Sequence, residues 1–168
     1  MKANYKNWMP KGMVIGMACG AGVALILYII FGVSPVLQAG TFKTVLGIVL
    51  LVLTIVMIFV SIWEYMMYRA FSYNGNRQMS KQIIEGTAAY VHIPDGGKGL
   101  DVGCGSGALT IACAKRNPKA EMTGIDRWGK EYASFSKNLC ENNSKAEGVS
   151  NTSFMQGDAC KLPFMDET

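Results

Sequence analysis

The sequence has few charged residues and almost no acidic residues in its first half. Charged side chains make up 17% of the 168 residues, against about a quarter in ordinary globular domains. Residues 1–81 carry seven basic side chains and one acidic one, Glu64, which sum to +6, whereas residues 82–168 carry nine basic and eleven acidic side chains, which sum to −2. The low charge excludes a disordered chain. The uneven charge indicates two unlike modules, and the net charge of +4 therefore does not indicate a nucleic-acid partner.

Metal-ligating side chains are also scarce. His92 is the only histidine, and the five cysteines contain no C-x-x-C pair. Zinc sites need such residues in clusters at short spacings, so the sequence predicts no metal centre. Scattered free thiols are typical of the reducing cytoplasm.

Two long uncharged runs occupy the first half of the chain. Residues 12–33 form a run of 22 residues, and residues 44–63 form a run of 20. Helices of this length would extend about 30–33 Å, enough to cross the core of a bilayer. The segment between them contains Pro35 and Gly40 and leaves room only for a short turn. The sequence predicts a transmembrane helical hairpin that anchors the protein within residues 1–75.

Basic residues predict the orientation of this hairpin. Three precede the first run, three follow the second, and one lies between the runs: Lys2, Lys6 and Lys11, then Arg69, Arg77 and Lys81, with Lys43 in the connection. The positive-inside rule then predicts a multi-pass protein of the plasma membrane, with both termini and the second half of the chain in the cytoplasm. A cleaved signal peptide ending near Ala39 is the alternative, although the first run is longer than a usual h-region and a second run follows at once.

Strand and helix patterns alternate in the second half. Short strands are predicted at residues 98–102, 120–125 and 152–156, and helices at residues 79–91, 108–116 and 128–142. Strands that alternate with helices are typical of a parallel sheet built from βαβ units. Residues 76–168 are therefore predicted to form an α/β domain with a Rossmann-like parallel sheet.

A glycine-rich loop follows the first predicted strand. Residues 100–107 read LDVGCGSG, with Gly103, Gly105 and Gly107 at every second position. Such glycines allow a tight turn and a close approach of the backbone to a ligand, and the amides at a helix N-terminus favour an anionic group. The loop also satisfies the dinucleotide fingerprint in its G-x-G-x-x-A form, so an NAD-type Rossmann domain is an alternative.

Three acidic residues lie at the ends of the three predicted strands. Asp101 lies two positions before the first glycine, Asp126 ends the second strand, and Asp158 follows the third. Ligands bind at the carboxyl ends of the strands in open α/β sheets, so these carboxylates are expected at one site. Asp101 would repel a pyrophosphate at the loop, which disfavours a nicotinamide dinucleotide. Each acid could instead be a helix cap or turn residue.

These motifs resemble those of class I S-adenosylmethionine-dependent methyltransferases. Residues 100–107 are similar to the first motif of that family, residues 124–126 to the second and residues 156–159 to the third. The resemblance implies S-adenosylmethionine as the cofactor. The seven implied cofactor-binding residues are Asp101 for the methionyl ammonium group, Gly103, Gly105 and Gly107 beside the methionine and ribose, Asp126 for the ribose hydroxyls, and Asp158 and Ala159 for the adenine edge. Arg127 or Trp128 would pack on the adenine, and packing in the sheet-facing core is the equal alternative for Trp128.

The resemblance covers only the first part of the seven-stranded domain of that family. The sheet would be truncated after its third strand, and no catalytic residue is recognised. We therefore expect a fragment of a membrane-anchored methyltransferase, with little activity of its own. Its methyl acceptor is unknown, and a lipid or a quinone would suit the bilayer. A membrane-tethered, non-catalytic regulatory fragment and a hairpin protein with an unfolded tail are the alternatives.

Overall fold

A computed structural model describes residues 2–129 and 134–164. The chain forms two compact units. The hairpin unit contains residues 8–71 and 75–77, and the sheet unit contains the described residues of 1–7, 72–74 and 78–168. This division differs from the boundary predicted at residue 75, because the first residues of the chain fold with its second half.

Two long apolar helices build the hairpin unit. Helix α1 comprises Lys11–Leu27 and continues as a π-helical segment, Tyr28–Val33, and helix α2 comprises Thr41–Ala70. Both are long and apolar enough to cross a membrane by length and composition. Helix α2 extends beyond the predicted run because the residues after Trp63, among them Glu64 and Arg69, continue the helix without a glycine or proline to end it.

Glycines allow the two helices of the hairpin unit to approach each other closely. A methyl group added to Gly32 would lie 3.2 Å from the Cα atom of Gly47, and one added to Gly47 would lie 3.3 Å from the Cα atom of Gly32. Small residues at such points let helix backbones come together. Gly22, in contrast, faces open space, with no atom within 4 Å of an added methyl group.

The sheet unit contains the predicted parallel sheet. Strands β1 (Lys98–Val102), β2 (Glu121–Asp126) and β3 (Thr152–Gln156) pair in parallel in the order β1-β2-β3. The helices of this unit are α3 (Met79–Ala88), α4 (Ala108–Arg116) and α5 (Lys137–Ala146). The predicted α/β class is confirmed.

The third helix of the sheet unit begins later than the sequence predicts. The sequence predicted a helix over residues 128–142, whereas α5 begins at Lys137. The hydroxyl of Ser136 caps this helix by accepting the N–H of Leu139 at 3.2 Å. Trp128 has a φ of +45°, which lies in the left-handed region and is incompatible with a right-handed helix. Residues 130–133 lie outside the described part of the chain.

The core lies on one face of the sheet, beneath helix α4. Ile111 and Ala112 of α4, Met122 of β2 and Phe154 of β3 are buried there. The side chains of Leu100 and Val102, on the opposite face of β1, are 41% and 45% exposed. Parallel sheets are normally covered on both faces, so this face of the sheet is unusually open.

Candidate functional site

A cavity of about 410 Å³ lies at the carboxyl ends of the three strands. Its lining includes five of the seven predicted site residues, namely Gly103, Gly105, Asp126, Asp158 and Ala159. The other two, Asp101 and Gly107, are not part of the lining. The topology therefore brings together residues from the ends of all three strands, as the rule for open α/β sheets requires.

The first two glycines of the loop have left-handed backbone conformations, with a φ of +81° at Gly103 and +55° at Gly105. Such angles are costly for residues that carry a Cβ atom. The amides of Gly103 and Cys104 both donate to the carbonyl oxygen of Ile125, at 2.8 and 3.1 Å, which ties the loop to β2. No atom lies within 4 Å of a methyl group added to Gly103. Gly103 therefore borders open space in the cavity.

Both carboxylate oxygens of Asp126 accept backbone hydrogen bonds. The N–H of Gly105 donates to Oδ2 at 2.8 Å, and the N–H of Trp128 donates to Oδ1 at 2.7 Å. These bonds fix the carboxylate between the glycine loop and the turn that follows β2. A carboxylate offers about four acceptor sites, so Asp126 can still accept hydroxyl groups of a ligand in the cavity.

Two side chains donate hydrogen bonds to the carbonyl oxygen of Gly105. The indole Nε1 of Trp128 donates to it at 2.9 Å, and the thiol of Cys140 donates to it at 3.2 Å. Trp128 also packs against the hydrophobic core, whereas the neighbouring Arg127 lines the cavity. Of the two residues considered for contact with an adenine ring, Arg127 is therefore the one at the cavity surface.

Gly107 serves packing rather than the cavity. Its φ is +77°, and its amide donates to the carbonyl oxygen of Cys104 at 2.8 Å as helix α4 begins. A methyl group added here would lie 2.9 Å from Cε1 of Phe154 and 3.1 Å from Cβ of Cys140. Only glycine leaves room for these two buried side chains.

Asp101 lies behind the loop, where its Oδ2 accepts the hydroxyl of Thr110 at 2.7 Å. Burial raises the pKa of this carboxyl group, the hydrogen bonds from Thr110 lower it, and the charge of Asp126 adds a smaller increase. Burial disfavours the ionised form of a carboxyl group unless donors or a cation compensate. The contact of Asp101 with a methionyl ammonium group thus remains a prediction.

Asp158 and Ala159 belong to the turn after β3. The carboxylate of Asp158 accepts the N–H of Cys160 at 2.9 Å, and the N–H of Gly157 donates to the backbone oxygen of Asp126 at 3.0 Å. The second contact holds this turn beside the end of β2. Asp158 is exposed, so the rest of its acceptor capacity faces the solvent and the cavity.

One aromatic residue of the cavity lies outside the predicted site. Phe135 lines it, and its ring lies 3.9 Å from a methyl group added to Gly105. Phe135 stands between two serines inside the predicted helix over residues 128–142, whereas α5 begins two residues after it. The sequence therefore contained no signal that would place this ring beside the loop.

The thiol of Cys104, inside the loop, is not set up as a nucleophile. Its hydrogen bond with Cys140, and then its burial, raise the pKa of Cys104 well above the usual thiol range. A reactive cysteine needs a lowered pKa and access to solvent, and Cys104 is buried. Among the described residues, no group of histidine, cysteine and acidic side chains could hold a metal ion.

The parallel sheet, the strand-end cavity and the glycine loop held by Asp126 define an α/β domain of the Rossmann-like class. Residues 93–168 match the family model described as a methyltransferase domain. The chain is therefore similar to methyltransferase domains over somewhat less than half of its length.

Curated relatives are similar to a part of this chain. The demethylmenaquinone methyltransferase of Staphylococcus aureus (strain JH9) is 41% identical over 75 residues, which are 44% of this chain and 28% of the relative. The relative from strain Newman gives the same values. The chain thus spans less than a third of the length of these relatives.

Two solved structures overlap with about half of the chain. Coclaurine N-methyltransferase, bound to N-methylheliamine and SAH, is 24% identical and superposes with a TM-score of 0.43, over 55% of this chain and 26% of that one. The YcgJ protein of Bacillus subtilis is 27% identical, with a TM-score of 0.42, over 52% of this chain and 35% of that one.

Proposed function

We propose that the sheet unit binds S-adenosylmethionine and that the chain supplies the cofactor-binding part of a membrane-anchored methyltransferase. The observation that carries this proposal is the cavity at the strand ends. It gathers residues from all three family motifs, and the Asp126 carboxylate there is already oriented by the amides of Gly105 and Trp128.

Four of the lining residues have a role in this proposal. Asp126 accepts the ribose hydroxyls, the open face of Gly103 admits the methionine portion, and Asp158 with the Ala159 amide contacts the adenine edge. The bound cofactor supplies a sulfonium methyl group that a nucleophile can attack directly. The contribution of the protein is orientation of the reactants and exclusion of water.

Titration with S-adenosylhomocysteine tests this cofactor site. The full chain in detergent micelles is titrated calorimetrically, alongside Asp126→Ala and the control Asp95→Ala, whose exposed carboxylate pairs with Lys119 outside the cavity. Hydrogen bonds to a charged group are worth about 1.5–3 kcal/mol each, so Asp126→Ala should weaken binding about tenfold or more. Wild type and Asp95→Ala should bind alike. No binding by the wild type, or equal binding by all three, contradicts the proposal, as does displacement of the ligand by NADH.

The hairpin unit supports attachment to the plasma membrane. Its side chains are apolar and largely exposed along both helices, with Phe42 at 72% and Phe59 at 67%. Soluble proteins rarely expose continuous apolar surfaces of this size. The distribution of basic residues then favours an orientation with both ends of the hairpin and the sheet unit in the cytoplasm.

Thiol labelling in intact cells tests this orientation. Val36 lies in the connection between α1 and α2 and is 66% exposed, and Cys160 is an exposed cysteine of the sheet unit. An impermeant maleimide should label Val36→Cys in intact cells and label Cys160 only after permeabilisation. Labelling of Cys160 in intact cells, or recovery of the chain outside the membrane fraction, contradicts the proposal.

A membrane-resident quinone is the methyl acceptor that we propose for the complete enzyme. The support is the 41% identity to enzymes named demethylmenaquinone methyltransferase, together with a hairpin that would hold the domain at the bilayer. Membranes from cells that express the complete enzyme containing this chain, as the wild type or with Asp126→Ala, are incubated with methyl-labelled S-adenosylmethionine, and quinones are then separated from phospholipids. Label should enter the quinone fraction with the wild type only. Label in phospholipids would refute a quinone acceptor, and equal labelling by both variants would refute a role for this chain.

A further inference from the structure

The first residues of the chain are built into the sheet unit, although two apolar helices separate them from it in sequence. The amide side chain of Asn143, on α5, pairs with the backbone of Asn4. The N–H of Asn4 donates to Oδ1 of Asn143 at 2.7 Å, and Nδ2 of Asn143 donates to the carbonyl oxygen of Asn4 at 3.1 Å. Residues 2–7 are called the N-terminal segment below.

The same amide group reaches the glycine loop. Nδ2 of Asn143 also donates to the carbonyl oxygen of Ser106 at 3.0 Å. Asn143 is 2% exposed and Ser106 is 4% exposed, so water does not compete for these bonds. The Asn4 amide can pair only with the side-chain oxygen of Asn143, and this fixes the nitrogen toward Ser106.

Two further contacts hold the N-terminal segment in place. Tyr5 is 4% exposed in the hydrophobic core, and its ring lies 4.4 Å from the ring of Tyr73, centroid to centroid. Burial, followed by the charge of Glu147, raises the pKa of Tyr5, so the phenol stays protonated beside that carboxylate. Asn7 forms an antiparallel bridge with Ser72, which lies just after α2 in the sequence.

We propose that the N-terminal segment positions the cofactor loop, with Asn143 as the positioning residue between them. Gly103, Gly105 and Gly107 all have left-handed backbones, and glycine loses more conformational freedom on folding than any other residue, so this loop needs contacts that hold it in one conformation. The bonds from Asn4 restrict the Asn143 amide to the rotamer that holds the Ser106 carbonyl, in the middle of this stretch. Cofactor affinity therefore depends on residues that precede the membrane hairpin. The affinity part of this inference rests on the proposed function.

A matched pair of substitutions at Asn4 isolates the contact. Asn4→Pro removes the backbone N–H that binds Asn143, whereas Asn4→Ala keeps it and removes only a side chain whose bond is to the nearby amide of Lys6. Asn143→Asp is the second variant, because it keeps the size of the side chain and replaces the donor to Ser106 and Asn4 by an oxygen. If these contacts served stability alone, their loss would increase hydrogen exchange throughout the sheet. If they position the loop, their loss increases hydrogen exchange in the loop selectively.

Hydrogen exchange of the full chain in micelles measures this selectivity. In Asn4→Pro and Asn143→Asp, the amides of residues 103–110 should exchange about threefold to tenfold faster than in the wild type, and the amides of residues 121–126 should exchange at the wild-type rate. In Asn4→Ala, all amides should exchange at the wild-type rate. S-adenosylhomocysteine should bind to the two variants about threefold to tenfold more weakly. Unchanged loop exchange in both variants, or equal acceleration in the loop and in β2, overturns the inference. Failure of the wild type to bind S-adenosylhomocysteine refutes the proposed function instead, and the exchange comparison still decides the positioning role.

Discussion

Alanine substitutions at three glycines separate a glycine required for packing from one that faces a ligand. Gly103, Gly107 and Gly148 all have left-handed backbones, with φ of +81°, +77° and +70°. This conformation costs an L-residue about 1–2 kcal/mol, so each substitution to alanine has the same backbone penalty. Gly148 follows α5 and has no atom within 4 Å of an added methyl group, so Gly148→Ala measures the backbone penalty alone.

The surroundings of Gly107 add a second penalty. A methyl group there lies 2.9 Å from Cε1 of Phe154, and overpacking of a well-filled core costs about 1–3 kcal/mol. Gly107→Ala should therefore lower the free energy of unfolding by about 2–5 kcal/mol. Gly103→Ala should lower it by only about 1–2 kcal/mol, since no atom lies within 4 Å of the added methyl group.

Urea unfolding of the full chain in micelles, followed by tryptophan fluorescence, measures these free energies. Titration with S-adenosylhomocysteine gives the second readout. Gly103→Ala should lose about tenfold or more in affinity, because its methyl group projects into the cavity, whereas Gly148→Ala should bind like the wild type. Equal destabilisation of Gly103→Ala and Gly107→Ala would refute the packing role of Gly107. Unchanged affinity in Gly103→Ala would refute the position of the ligand beside that glycine.

Three further predictions concern the sheet core, the hairpin and the thiols. Burial raises the pKa of Asp101 in the folded state, so folding binds a proton and the free energy of unfolding falls as the pH rises from the ordinary to the raised pKa. Asp101→Asn should make the free energy of unfolding less dependent on pH, which urea unfolding at a series of pH values measures. An unchanged dependence on pH would contradict the raised pKa of Asp101. Gly47→Leu should separate the apolar helices and lower their thermal stability in micelles, whereas Gly22→Leu, in open space, should not, and equal effects would count against close packing. At neutral pH a maleimide should modify the exposed Cys160 and leave the buried Cys104 unmodified in the folded protein, which peptide mass mapping can check, and rapid labelling of Cys104 would contradict its high pKa.

Local patterns were sufficient to predict most of the sheet unit. The predicted bounds of β1, β3 and α4 agree with the structure, because glycine, proline or asparagine marks an end of each element. The N-terminal residues of α5 were predicted wrongly, since the turn around Trp128 depends on hydrogen bonds to Asp126 and Gly105 that no local pattern indicates.

The sequence predicts those residues of the candidate site whose positions depend only on a local motif. The strand-end acids and glycines were found from their spacing. The packing role of Gly107 was not predicted, because the side chains that fill the space beside it, Phe154 and Cys140, come from distant parts of the chain. The contact between Asn4 and Asn143 joins residues 139 positions apart and has no trace in either local sequence.

This same contact between Asn4 and Asn143 makes the order of synthesis important for the protein. Asn4 is translated 139 positions before its partner, an interval of roughly 7–28 s at the usual rates of synthesis. During that interval, the N-terminal segment has no partner in α5, while the apolar helices are already available for insertion into a bilayer. The loop can therefore acquire its support only after the hairpin has been made, so a nascent chain would gain cofactor affinity late. A bulky tag fused to the N-terminus would delay that final step or prevent it.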